Sequence, residues 1–333
     1  MSELRQDLVS GDWIILAPER AVRPHGIGSK KSKRKPSPKN NCPFENLQKS
    51  GNWPPVLSYP NDENWRAVLV ANKFPALTHP NSACVSDYRM GPYPVKSGTG
   101  VHDIIITRDH DKNFADLSLN EATKVLRLLQ RRYQMLSRDR CLVYTSAFFN
   151  WGPTAGASLY HPHYQVITLP ILPSDFKHSL NGLESYYKKY RRCVHCVMIK
   201  EEIKQKKRIV AQNSGALLVA PFVSRVAYEI RVFPKRHLSH FEHTPPKDLR
   251  DVAVMLQSGI KRIRERLGDP DFNFFIHSAP LKHRGKYNYY HWHIEIIPKI
   301  SIFGGFELST GVDINVVDPE KAAAMLRGRS RDG

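Results

Sequence analysis

One order of segments occurs twice along this chain: a strand ending on a histidine, a helix, a strand, a loop, and a strand that opens on His-x-His. In the first copy GVHDIIITRDH (100–110) reads as a strand ending at His110. NFADLSLNEATKVLRLLQRRYQML follows, with apolar residues at helical spacing from Ala122 onward. CLVYTSAFFN (141–150) is the next strand, WGPTAGAS the loop, and HPHYQVITLP (161–170) the last strand. In the second copy the matching segments are AYEIRVFPKRH (227–237), PPKDLRDVAVMLQSGIKRIRERL, FNFFIHSAP (272–280) and YYHWHIEIIPKI (289–300). His110 therefore matches His237, His161 and His163 match His291 and His293, and Gln165 matches Glu295. Such repetition predicts an α+β chain of two tandem modules, 1–175 and 176–333. Each is expected to be an antiparallel sheet, with sequential strands adjacent and the helix packed on one face.

Within HPHYQVITLP, the period of two puts His161, His163 and Gln165 on one face and Pro162, Tyr164 and Val166 on the other. Three polar groups in a row build a poor core and a natural site. The alternative is the solvated face of an edge strand.

Each half also starts with a cysteine cluster, CPFE (42–45) and CVHC (193–196). Cys42, Glu45, His110 and His161 would supply one set of metal ligands; Cys193, Cys196, His237 and His291 would supply another. Two thiolates and two imidazoles suit tetrahedral zinc with no open position. Glu45 stands where the first set would have its second cysteine, and a carboxylate is a harder, weaker zinc ligand. The alternative for either set is buried thiols and surface histidines. With Cys84 and Cys141 the cysteines number five, an odd count for a disulfide framework, which favours thiols or metal ligands in a reducing, cytoplasmic setting.

The formal net charge of +19 favours an anionic partner such as a nucleotide or sugar phosphate. Part of it lies in GSKKSKRKPSPKNN (28–41), whose basic, Ser- and Pro-rich composition predicts a mobile, solvated loop. Nucleic acid could be held there, but no helix-turn-helix, RNP-like or finger pattern accompanies it. No apolar run approaches the ~20 residues of a membrane span, and the first residues do not read as a signal peptide.

The chain resembles the galactose-1-phosphate uridylyltransferase group of the histidine-triad superfamily. The resemblance rests on LRQDLVSGDWIILAPERAVRPH, CPFE, ANKFPAL (71–77), FFNWGPTAGASLYHPHYQ (148–165) and GGFELSTGVDIN (304–315). The paired cysteine clusters, PKRHLSHF and the GGFE ending look most like the branch that contains ADP-glucose phosphorylase. The resemblance implies nucleotidyl transfer between nucleoside-diphosphate sugars and a sugar 1-phosphate, or inorganic phosphate in a phosphorylase. His163 would be the nucleophile and Gln165 a donor to the phosphoryl group. The loop 152–158 would bring backbone N–H groups of Gly156, Ala157 and Ser158 to the phosphates. Arg20 and Arg23 would face phosphate or sugar, Asn72 and Phe74 the nucleoside, Asn150 ribose or phosphate, and Phe306 and Glu307 the sugar. It also implies zinc and a homodimer. Two features depart from the pattern: Tyr164 replaces a small residue, and Glu295 in the second half would repel a phosphoryl group. That half is expected to be structural and substrate-shaping. A different class remains open, a nucleotide- or nucleic-acid-binding relative without turnover; so does hydrolysis of dinucleoside polyphosphates.

Overall fold

A computed structural model describes residues 1–22, 34–79, 84, 87–282 and 284–328. The chain runs β1 (Glu3–Gln6), β2 (Trp13–Leu16), α1 (Leu47–Ser50), β3 (Leu57–Tyr59), β4 (Ala67–Ala71), β5 (Asp87–Met90), β6 (Tyr93–Lys96) and β7 (Val101–Thr107). It continues through α2 (Leu119–Leu136), β8 (Tyr144–Trp151), β9 (His163–Leu169), α3 (Ser174–Tyr190), α4 (Val194–Gln205), β10 (Ile209–Gln212), β11 (Ala216–Val219) and β12 (Ile230–Pro234). It ends with α5 (Pro246–Leu267), β13 (Phe272–His277), β14 (His293–Pro298), α6 (Gly305–Thr310), β15 (Ile314–Asn315) and α7 (Pro319–Arg327).

Both copies of the repeat form the strands and helix expected of them, in an α+β architecture. Where two sheets were expected, one antiparallel sheet of ten strands runs β10-β11-β12-β14-β13-β8-β9-β7-β4-β3. The join is β8 against β13, with Phe149 opposite Phe274 and their rings stacked at 5.2 Å. Aromatic residues facing each other across two strands make this seam part of the core. The core cluster is accordingly continuous across both halves, with members from Val9 to Leu326.

The helices α2 and α5 form because their apolar residues recur on one side; each buries that stripe, and they touch each other. Ser118 caps α2 through a reciprocal bond with Glu121, which the sequence pattern from Ala122 onward had not included. At the other end of the molecule β2 pairs in parallel with β15, so the opening and closing segments meet in a three-stranded sheet with β1. Among the described residues no helix is long and apolar enough to cross a membrane.

Two expectations are corrected. Cys84 and Cys141 are joined as a disulfide, since the fold brings their Cα atoms to 5.0 Å, within reach of a bridge. The described end of the basic stretch is anchored at two points, Arg34 and Ser37, while Lys35, Pro36 and 38–41 stay exposed: Arg34 lies over the Trp151 ring at 3.2 Å and donates to the Tyr160 carbonyl. The Ser37 carbonyl faces His110 Nε2 at 2.9 Å. An aromatic shelf and a buried imidazole hold this segment, which its composition alone could not disclose. Residues 28–33 of the stretch lie outside the described residues.

Candidate active site

The histidines at the ends of the strands are oriented by the backbone. Nε2 of His161 faces the Thr107 carbonyl at 2.7 Å, and Nε2 of His291 faces the Pro234 carbonyl at 2.9 Å. His237 Nε2 likewise faces the Asn288 carbonyl at 2.8 Å. A carbonyl can only accept, so each of these Nε2 atoms, and that of His110, carries the proton and each Nδ1 presents a lone pair. The Nδ1 atoms of His161, His237 and His291 point at the cysteines, and that of His110 at Glu45. Cys196 Sγ is 3.2 Å from His237 Nδ1 and 3.4 Å from His291 Nδ1, and Cys42 Sγ is 3.5 Å from His161 Nδ1.

Cys193, Cys196, His237 and His291 bring one donor atom each within 4.8 Å of one another, as do Cys42, His110 and His161. Glu45 completes the first group: its Oε1 is 2.9 Å from His110 Nδ1 and 3.5 Å from His161 Nδ1. A carboxylate oxygen against two imidazole lone pairs is repulsive without a cation between them, so the donor set fits a metal ion. In the second group the Cys193 thiol is lowered, chiefly because Cys196 bonds to it, and Cys196 is raised in turn. Two thiols sharing a proton beside two imidazole lone pairs are also a set that a soft metal would satisfy.

Beyond the first cluster lies a cavity of about 420 Å³, lined by Phe44, Ser50, Asn52, Asn72, Lys73, Phe74, Ile104, Ser158, His163 and Gln165 among others. His163 Nδ1 donates to the His161 carbonyl at 3.0 Å, which leaves Nε2 with its lone pair. Burial lowers the His163 pKa, keeping the ring neutral. Phe44, carried by the same CPFE segment as Cys42 and Glu45, meets the His163 ring edge-on at 5.3 Å. Tyr164 points the other way, as alternation requires, and is buried against Phe149 at 4.8 Å.

The first 173 residues match the family described as galactose-1-phosphate uridyl transferase, N-terminal domain, and residues 95–329 match a domain family of unknown function. ADP-glucose phosphorylase of Arabidopsis thaliana is 32% identical over 98% of this chain and 92% of its own length. Galactose-1-phosphate uridylyltransferase of Thermotoga maritima is 27% identical over 98% of both. The chain belongs to the galactose-1-phosphate uridylyltransferase family. Among solved structures, an ADP-glucose phosphorylase from Arabidopsis thaliana with bound ADP-glucose superposes with a TM-score of 0.84, at 30% identity and full coverage of both chains.

Set against the expectations drawn from the family, the cavity gathers Asn72, Phe74, Ser158, His163 and Gln165. Gly156 and Ala157 sit in the adjoining loop but do not line it. Asn150 braces that loop instead of reaching the cavity: its Nδ2 donates to the Gly156 carbonyl, and its Oδ1 accepts from Asn273. The brace arises because Asn273 lies opposite Asn150 in the β8–β13 pairing. Arg20 is exposed on the turn after β2, and Arg23 lies outside the described residues. Phe306 and Glu307 are on the exposed α6, where Glu307 caps its own helix through Gly304 N–H. Sequence reasoning missed Lys73, Ser50 and Asn52. Lys73 sits inside the quoted ANKFPAL segment, and its charge was a usable signal; Ser50 and Asn52 carried none.

Proposed function

We propose that this chain is a nucleotidyltransferase that passes a nucleoside monophosphate from a nucleoside-diphosphate sugar to a hexose 1-phosphate by way of His163. The observation that carries it is the juxtaposition of two groups in one cavity, a neutral imidazole with Nε2 unprotonated and the Gln165 amide. Nε2 attacks the α-phosphorus; the N–P bond forms as the bond to the sugar 1-phosphate oxygen breaks. The His161 carbonyl, on Nδ1–H, shares the positive charge that the ring acquires. The acceptor's phosphate oxygen then displaces His163 and restores the neutral ring. Gln165 donates its N–H to a phosphoryl oxygen, and Lys73 supplies positive charge at the same cavity.

The second reading is an ADP-sugar phosphorylase, with inorganic phosphate as acceptor. The likeness to the Arabidopsis enzyme over nearly the whole chain favours it. The covalent step is common to both.

Zinc in both clusters follows from their donors, with Cys42, Glu45, His110 and His161 holding one ion and Cys193, Cys196, His237 and His291 the other. Bound there, zinc would be structural, tying the start of β9 to CPFE and that of β14 to α4. We read the halves as two modules, the second shaping and supporting the first. A homodimer accounts for the exposed side chains of Ile302, Phe303, Phe306 and Leu308, and would bring Phe306 and Glu307 to a site they do not reach within one chain.

The test is intact mass under non-acidic conditions, since a phosphoramidate is acid-labile. The protein is incubated separately with UDP-glucose, UDP-galactose and ADP-glucose, beside a His163→Asn variant. A nucleoside monophosphate added to wild type alone is expected and names the base. No adduct from folded, metal-loaded wild type overturns the reading.

A further inference from the structure

The proposed function needs Gln165 to present its N–H and not its carbonyl to the phosphoryl group, and nothing in that residue alone decides which end faces the cavity. The neighbouring strand does. His102 on β7 lies two residues before Ile104, which is directly opposite Gln165 in the β7–β9 register. The Ala76 N–H donates to His102 Nδ1 at 3.1 Å, so that nitrogen holds a lone pair and Nε2 carries the proton. His102 Nε2 is 3.1 Å from Gln165 Oε1. The Gln165 carbonyl is thereby taken, and its NH₂ is left as the group turned to the cavity.

The same imidazole reaches the segment that carries the cavity's Asn72 and Phe74. The Asn72 N–H donates to the His102 carbonyl at 2.9 Å. Asn72 Oδ1 accepts from the Phe74 N–H at 3.0 Å, so its NH₂, not its oxygen, is the group 3.0 Å from His102 Nε2. Two donors cannot satisfy each other. The Asn72 NH₂ therefore needs an acceptor elsewhere, and the cavity it lines is where one would sit. Both amides, Asn72 and Gln165, end up with their oxygens occupied and their hydrogens available.

We infer that His102 is a positioning residue: held as the Nε2–H tautomer by the Ala76 N–H, it sets the Gln165 amide, and with Asn72 makes a pair of donors for an anionic phosphoryl group. The inference rests on the proposed nucleotidyl transfer. In the second half the place of His102, two residues before Arg231, is taken by Glu229, which accepts from Arg231, and the imidazole against Glu295 comes instead from His277 on the opposite neighbour β13, at 3.3 Å.

Two measurements test it. In wild-type protein without substrate, long-range ¹H–¹⁵N correlation reads the His102 tautomer; Nε2–H is expected, and Nδ1–H overturns the inference whatever the enzyme does. Single-turnover nucleotidylation of His163 is then followed in His102→Phe, His102→Gln, Gln165→Ala and the His102→Phe/Gln165→Ala double variant. His102→Phe keeps a ring but no donor and should slow the step about 10–100-fold. His102→Gln, which can still donate, should recover most of the rate. In the Gln165→Ala background, His102→Phe should cost little more. Independent, multiplying losses, or a His102→Phe rate within about twofold of wild type, would refute the positioning role. Failure of the proposed function is seen separately, as no adduct on wild type.

Discussion

Arg231→Met should lower the stability of the fold from within the second half without touching chemistry at His163. Arg231 is buried, with its guanidinium 2.7 Å from Glu229 and 3.5 Å from Glu295, both buried carboxylates. In the first half the corresponding register position, opposite Gln165, is the apolar Ile104 on the cavity wall. Arg231 thus places a cation of the protein's own where the first half has an apolar wall. Burial would raise Glu295, yet Arg231, His277 and Arg225 together outweigh it and hold that carboxyl below the usual range. Burial pushes Glu229 up to about 7 even with Arg231 beside it. Removing one partner of a buried ionic group costs about 3–5 kcal/mol. An unfolding entropy of about 2.1 cal/mol/K per residue, over 333 residues, makes this a drop of roughly 4–7 °C in melting temperature. The sign with pH follows. Without Arg231 both carboxyls move up from where it holds them, and a carboxyl moved up in the folded state loses stability for the fold as pH climbs. The deficit should therefore be full at pH 8 and shrink towards pH 5. Glu229→Gln/Arg231→Met/Glu295→Gln should recover most of it. Thermal melts at the two pH values, with single-turnover nucleotidylation on the folded fraction, read all of this. A variant as stable as wild type at pH 8, or a deficit that grows on acidification, would refute the reasoning.

The other perturbations address the first half and the metal sites. Gln165→Glu keeps an acceptor for His102 but replaces the phosphoryl-facing donor by a charge, and should slow nucleotidylation by about 10²–10³; a rate near wild type would remove Gln165 from the proposed chemistry. Gly152→Ala should lower both melting temperature and rate. Its φ is +86°, and a Cβ would lie 1.8 Å from Asp271 Oδ1, whose carboxylate accepts from Thr154 N–H and Oγ1 and so clamps the loop. Cys196→Ser should lose one equivalent of metal by elemental analysis and melt earlier, while unchanged metal content would count against the second cluster as a site. Glu45→Cys converts the first set to two thiolates and two imidazoles, and should slow metal loss to a chelator; faster loss would show the carboxylate to be the better ligand there.

Much of this was legible from spacing. Periodicity of two assigns faces along a strand, so HPHYQ already separated His163 and Gln165 from Tyr164, and the repeat already paired His110 with His237 and His161 with His291. The CPFE and CVHC clusters pointed to the remaining members of the two groups that the fold gathers, because soft ligands in matching places have few other uses. Periodicity says which face a residue takes, but not which strand lies beside it. That is why the brace that Asn150 forms with Asn273 across the β8–β13 seam was invisible in the sequence. It is also why the Cys84–Cys141 bridge, 57 residues apart, could not be read from a cysteine count. His102 looked like an ordinary strand residue, since its role depends on an N–H from Ala76 and an amide on β9. The repeat thus marked which residues of each half stand in matching places. Only the tertiary structure, by choosing the neighbours across each ladder, decided that the halves share one sheet, that Arg231 lies against both Glu229 and Glu295, and that the cavity beside His163 draws its wall from three distant segments.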